Sequence, residues 1–194
     1  MGCVPEKIPP RDIRYDVVIA SLIGFCALCV AGYAAYMQRQ QVRAVVWPIL
    51  EFGSNNGPVR LTLDNKGLGP AIIKNAIVRV DKQPVKNWLE AMNKILGPSE
   101  DHHFEESDMT GRVLAAGEEL AIFTPHDANN NPLNFDKSNP LWVALNKERF
   151  RISVEICYCS TLGECWTLRA DGLTPSETTE CRSCPPRSDV TFQQ

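Results

Sequence analysis

Residues Val17 to Met37 read VVIASLIGFCALCVAGYAAYM, 21 residues with no charge and no proline. A bilayer core roughly 30 Å thick is crossed by about 20 apolar residues at helical rise. The stretch therefore predicts one transmembrane helix over 17–37, and a single crossing. Its flanks agree. Arg11, Arg14 and Asp16 precede it, and Gln38, Arg39, Gln40, Gln41 and Arg43 follow it. Tyr15 at one end, and Tyr33 and Tyr36 at the other, stand where interfacial aromatic anchors sit. A buried core helix is the competing reading, but such helices rarely stay uncharged on every face for this length.

Three processing signals are weighed against the anchor. A cleaved signal peptide has an apolar run of about 7–15 residues, shorter than this one, although Gly32-Tyr33-Ala34 is a passable cleavage site. Lipidation of Cys26 or Cys29 would want a small residue before the cysteine, and Phe25 and Leu28 are there instead. Met1-Gly2-Cys3 resembles a myristoylation start, yet Glu6 stands where that motif wants Ser or Thr. The anchor is retained.

Orientation follows from basic residues. Lys7, Arg11, Arg14 and the amino terminus outnumber Arg39 and Arg43, which places the N-terminus in the cytoplasm and the rest of the chain outside it. Ala20, Gly24, Ala27 and Ala31, continued by Ala34 or Ala35, recur at spacings of three and four. Small residues at that spacing share one helix face and let a second helix approach closely. The expected partners are thus the lipid bilayer and a protein, or a second copy, met through this helix. The plain alternative is that Ala and Gly are simply common in such helices.

Beyond the membrane the hydrophobic period changes from helical to alternating. About 150 residues follow, enough for a core that needs neither metal nor disulfides. A net charge of -3 leaves no basic stripe for nucleic acid. Ala44 to Phe52 reads as a first strand, confined by Pro48 to an edge or a bulge. Val59-Arg60-Leu61-Thr62-Leu63-Asp64 alternates cleanly, and Asn65 to Pro70 is a turn cluster before a strand over Ala71 to Val80. Trp88, Met92 and Ile95 recur at helical spacing, predicting a helix over Val85 to Leu96 that Gly97-Pro98 stops. Ser99 to Glu106 reads as a polar stretch. Arg112 to Leu114 and Glu119 to Phe123 read as strands, and Asp127 to Asn139 as a loop with a helical turn near Leu141 to Leu145.

The last two strands are the clearest. Phe150, Ile152, Val154, Ile156 and Tyr158 share one face, as do Trp166 and Leu168 in the strand over Cys165 to Arg169. About seven short strands separated by turns predict an antiparallel β-sandwich with one or two short helices. The expected division is a flank over 1–16, the membrane helix over 17–37, a linker over 38–43, the sandwich over 44–170 and an irregular cysteine-bearing tail over 171–194.

Leu63-Asp64-Asn65-Lys66-Gly67-Leu68-Gly69-Pro70-Ala71 resembles the strand-turn-strand N-x-G-x-G-P-A of many immunoglobulin-like bacterial exported domains. Trp47-Pro48, Cys157-Tyr158-Cys159-Ser160 and Gly163-Glu164-Cys165-Trp166 are similar to bacterial proteins that pair one membrane helix with such a domain. The resemblance covers about half of the domain through short motifs. It implies an immunoglobulin-like fold and a single-pass protein of the bacterial inner membrane, and it carries over no activity.

Of eight cysteines, Cys3, Cys26 and Cys29 lie near or in the anchor, while Cys157, Cys159, Cys165, Cys181 and Cys184 crowd into the C-terminal part. Thr161-Leu162-Gly163 makes a three-residue hairpin loop with glycine where left-handed φ is needed. That register sets Cys159 opposite Cys165, Tyr158 opposite Trp166 and Ile156 opposite Leu168, satisfying both faces at once. Directly opposed residues come close enough for a disulfide after modest adjustment. Three readings stay open. Cys159–Cys165 is a disulfide, with Cys181 or Cys184 pairing in the tail or with Cys157. Or Cys159, Cys165, Cys181 and Cys184 hold zinc, for which Cys181-x-x-Cys184 has a suitable spacing and Cys159-x5-Cys165 does not. Or all are reduced thiols. An odd cysteine remains in the first case, free for an intermolecular bond.

No catalytic motif is present. G-x-S-x-G, H-E-x-x-H and a phosphate-cradling loop are all missing, and Gly67-x-Gly69-Pro70 lacks both the N–H groups and the following helix. His102 and His103, near Asp101, Glu105 and Glu106, read as a solvated polar loop rather than a metal site, and His126 as a turn residue. The expectation is a membrane-anchored, non-catalytic binding protein without a cofactor, an accessory subunit of a membrane or envelope complex. The alternative is a tethered enzyme or redox or metal protein using the C-terminal cysteines.

Overall fold

The uncharged stretch forms the middle of one helix, α1, over Ile13–Val45. In the computed structural model the residues described are 13–56, 59–99, 102–172, 176–186, 188 and 190–193. Within α1, Tyr15–Val45 has a mean hydropathy of 2.3 in its most apolar window and is long and apolar enough to cross a membrane. Its large apolar side chains are exposed, Leu28 at 73% and Phe25 at 66%. α1 also runs through Gln38–Arg43, expected as a linker, and ends at Val45, inside the first expected strand. The physical reason is local. Glutamine, arginine and alanine are good helix formers, whereas Pro48 removes an N–H and forces Trp47 out of the α region.

The chain divides into two compact units, one ending at Val42 and the other beginning at Arg43. The second is mainly antiparallel β-structure. Its strands are β1 (Leu50–Asn56), β2 (Val59–Asn65), β3 (Ala71–Val80), β4 (Gln83–Val85), β5 (Phe104–Glu106), β6 (Val113–Leu114), β7 (Glu119–Pro125), β8 (Ile152–Cys159), β9 (Cys165–Asp171) and β10 (Glu177–Cys181). Two short helices interrupt them, α2 (Trp88–Leu96) and α3 (Pro140–Glu148). One sheet has the order β1-β2-β7-β5; the other runs β10-β9-β8-β3-β4, with β6 beside β3.

A single apolar cluster joins the sheets, including Leu63 from β2, Ile122 from β7, Val78 from β3 and Ile156 from β8. Trp88 on α2 closes it, fully buried, with its ring centroid 4.7 Å from that of Phe123 and 5.1 Å from that of Phe192. α2 begins later than the spacing suggests. Gln83–Val85 is drawn into β4 by a tight turn at Asp81 and Lys82, both at positive φ, and Asn87 then caps the helix by accepting the Glu90 N–H at 2.9 Å.

Three further elements depart from the sequence reading. Phe104–Glu106, expected as part of a polar stretch, pairs with β7 at a sheet edge. The tail, expected to be irregular, supplies β10, which pairs with β9 in antiparallel register. Phe150 lies before β8 in a 3-10 turn and is 41% exposed, so the inward face of β8 begins at Ile152.

The turn cluster after β2 is a packed knot rather than a loop. Asn65 is fully buried, and its Nδ2 donates to Gly69 O at 2.8 Å, Leu114 O at 3.1 Å and Ala115 O at 3.1 Å. Its Oδ1 accepts from Gly67 N at 3.0 Å and Ile49 N at 3.3 Å. The glycines are there because the chain of residues 46–49 lies against them. A Cβ on Gly67 would overlap Trp47 O and Ile49 N, and one on Gly69 would overlap the Val46 carbonyl. Backbone cannot move aside as a side-chain tip can. Gly69→Ala is therefore expected to lower stability by about 3 kcal/mol, at the upper end of overpacking costs. Urea unfolding of the full chain in detergent, read by tryptophan fluorescence, checks this; an unchanged midpoint would contradict the close packing.

Candidate functional site: the five-sulfur cluster

The cluster is assembled by three neighbouring strands. β8 and β9 form the hairpin whose loop Thr161–Gly163 has Gly163 at φ +81°, with Ser160 N–H donating to Glu164 O at 2.8 Å. Cys159 lies opposite Cys165, Tyr158 opposite Trp166 and Ile156 opposite Leu168. β10 adds itself to the other side of β9 with Cys181 opposite Cys165. Cys165 thus has a cysteine beside it on each neighbouring strand.

Covalent pairing follows this placement only in part. Cys159 and Cys165 are joined by a disulfide across the hairpin, and Cys157 is joined to Cys184, 27 residues away, by a second one. Cys181 keeps a free thiol. Its sulfur lies 3.7 Å from that of Cys157, and the sulfur of Cys184 lies 3.7 Å from that of Cys159. Although Cys157, Cys159 and Cys165 are on the face away from the apolar core, they are only 4%, 5% and 6% exposed. Cys184 brings the tail over that face. Alternation predicts which side of the sheet a residue takes, and says nothing of whether another segment covers that side.

Among the described residues, the cysteine sulfurs of Cys159, Cys165 and Cys184 are the one group close enough to share a metal, all within 4.8 Å of one another. Each of these sulfurs is committed to a disulfide, so metal ligation there requires reduction first. Cys181, which the sequence spacing pairs with Cys184, is outside that group. Cys26 and Cys29 are exposed on α1, and Cys3 lies outside the described residues. Ala20, Gly24, Ala27 and Ala31 all fall in unbroken helix.

His103 and His126 meet through their backbones, His126 N–H donating to His103 O at 2.8 Å, and among the described residues no histidine belongs to a group of three potential metal ligands. His102 Nε2 meets Gly97 O at 3.1 Å, and His126 Nδ1 meets Asn130 Oδ1 at 3.1 Å. His126 Nε2 approaches Glu105 Oε2 only at 4.0 Å. Burial is the main cause of a raised titration at two groups. Burial raises the Tyr158 hydroxyl above its ordinary range, where it accepts from Leu50 N at 3.4 Å. Burial, and then the Asp108 charge, raises Glu106. The Tyr158 hydroxyl also bonds the Thr178 side chain and lies within electrostatic reach of Cys181. A mostly apolar, partly open pocket of about 40 Å³ between α2, α3 and the sheet is bordered by Trp88, Met92, Ile95 and Trp142.

Comparison of the chain with family models, curated proteins and solved structures finds no match. The described residues form an apolar helix followed by a mainly antiparallel β-domain that carries two disulfides and a free thiol.

Proposed function

We propose that the chain is a bitopic membrane protein with an exported, immunoglobulin-like β-domain that binds a protein partner, without catalysis of its own. The observation that carries this reading is α1. It holds a long run of apolar side chains, none covered: Val18 is 65% exposed, Leu22 64% and Val30 68%. Burying such a run in hydrocarbon gains about 25 cal/mol per Å² of apolar surface, and water offers no comparable refuge. Lipid, or lipid and a second helix on the Ala20, Gly24, Ala27 and Ala31 face, fits that requirement.

Strand order supports the immunoglobulin-like part. The order β1-β2-β7-β5 in one sheet and β3-β8-β9 in the other has the pattern of the two sheets in that fold. Two disulfides support export, because reducing compartments seldom keep them. The excess of basic residues before α1, and the motif resemblance, support a bacterial inner membrane with the N-terminus inside.

Carbonate extraction of cells making the full chain, with a reporter fused after Gln194, tests the anchor and its direction together. The expected result is a chain of undiminished length in the pellet and a reporter active outside the cytoplasm. Release into the supernatant, or a mature form beginning beyond Ala34, would overturn the anchor. Crosslinking in native membranes tests the partner; a β-domain with no neighbour other than lipid would sink that part of the reading.

A further inference from the structure

The geometry points to a thiol–disulfide exchange site in the C-terminal cysteine cluster, in which one thiol migrates among Cys181, Cys184 and Cys165. Five cysteines share two disulfides and one thiol, and the unbonded neighbours are in van der Waals contact. The contacts form a chain. Cys181 touches Cys157 of the first disulfide, and Cys184 of that same disulfide touches Cys159 of the second. A structural pair of disulfides needs no spare thiol against one bridge, nor one bridge packed against the other.

The chemistry balances without any outside oxidant. In the first step the Cys181 thiolate attacks Cys157 Sγ, so that a Cys157–Cys181 bond forms and the Cys157–Cys184 bond breaks. Cys184 leaves as the thiolate and takes up the proton that Cys181 lost. In the second step the Cys184 thiolate attacks Cys159 Sγ, 3.7 Å away, forming Cys159–Cys184 and releasing Cys165. Two disulfides and one thiol exist before and after, and no electron enters or leaves. The consequence is positional. The thiol begins on Cys181, half-buried on the sheet's last strand, and ends on Cys165, 6% exposed between β8 and β10. The first step also frees the tail at Cys184 from Cys157 on β8, so the exchange changes what ties residues 182–186 to the sheet. This inference stands whether or not the domain has a protein partner.

Disulfide mapping of the oxidised full-length chain in detergent tests it. The protein is held at mildly alkaline pH, trapped with N-ethylmaleimide in denaturant, and digested without reduction. Cleavage after Arg182 separates Cys181 from Cys184, and cleavage after Tyr158 separates Cys157 from Cys159. Maleimide is expected on Cys184 and Cys165 as well as on Cys181. In Cys184→Ser, Cys157 is expected to pair with Cys181 and leave no free thiol in the cluster. In Cys165→Ser, the expected pairs are Cys159–Cys184 and Cys157–Cys181. Label confined to Cys181 in the wild-type chain after hours of incubation would overturn the proposal, and that measurement needs no variant to fold. So would Cys184→Ser with Cys157 and Cys181 both labelled. Isolation of the chain with five free thiols around bound zinc would also overturn it.

Discussion

Replacing Asn65 by aspartate will lower the stability of the β-domain by about 3 kcal/mol or more at neutral pH, with almost no change in side-chain volume. The amide nitrogen now donates to three carbonyls, of Gly69, Leu114 and Ala115. A carboxylate oxygen in its place would face those three acceptors without a proton to offer. The Oδ1 side keeps its contacts to Gly67 N and Ile49 N, so the loss isolates the donor half of the network. The sign of the pH dependence follows. An aspartate held among carbonyls has its folded pKa raised above the unfolded value of about 3.9, so the native state binds more protons between the two. The variant therefore loses stability as pH rises through that window and recovers part of it on acidification. Urea unfolding of the full chain in detergent measures this directly, since all four tryptophans lie in the second unit. A midpoint within about 0.5 kcal/mol of wild type would mean that Asn65 does not hold the knot together.

Trp88→Ala is expected to cost about 3–5 kcal/mol, the range for deleting a large buried aromatic side chain. Trp88 lies tilted against Phe123 of β7 and edge-to-face with Phe192 of the tail, so its loss opens a cavity between α2, β7 and the tail. Its indole N–H is buried without a hydrogen-bond partner. Trp88→Phe should consequently cost much less, because it removes an unsatisfied donor along with the lost volume. The same fluorescence titration, supported by circular dichroism where a tryptophan is lost, separates the two variants. Equal losses for Ala and Phe would show that the indole nitrogen has a bonding role.

The turn motif shows what a sequence reading can reach. Asn65, Gly67, Gly69 and Pro70 mark a turn by composition alone, because glycine and proline punctuate any chain. Their deeper reason, the segment over 46–49 lying against both glycines, was invisible, since it depends on where the chain goes after leaving α1. The polar strands were missed for a related reason. Glu177-Thr178-Thr179-Glu180-Cys181 has no apolar alternation, being exposed on nearly every residue, and it is a strand because β9 offers it a free edge. Phe104–Glu106 is held by β7 in the same way.

Local and near-local physics was enough for the apolar helix and the β8–β9 hairpin. Length, absence of charge and the 3.6-residue repeat act within one segment, and a hairpin joined by three residues has few registers that bury Tyr158, Trp166, Ile156 and Leu168 together. Long-range closure settled the rest. The bond between Cys157 and Cys184, and the contact of Cys181 with Cys157, join residues more than twenty positions apart. No pattern in the intervening chain specifies those meetings; they depend on the free edge of β9 that draws β10, and the tail behind it, onto the covered face of the sheet.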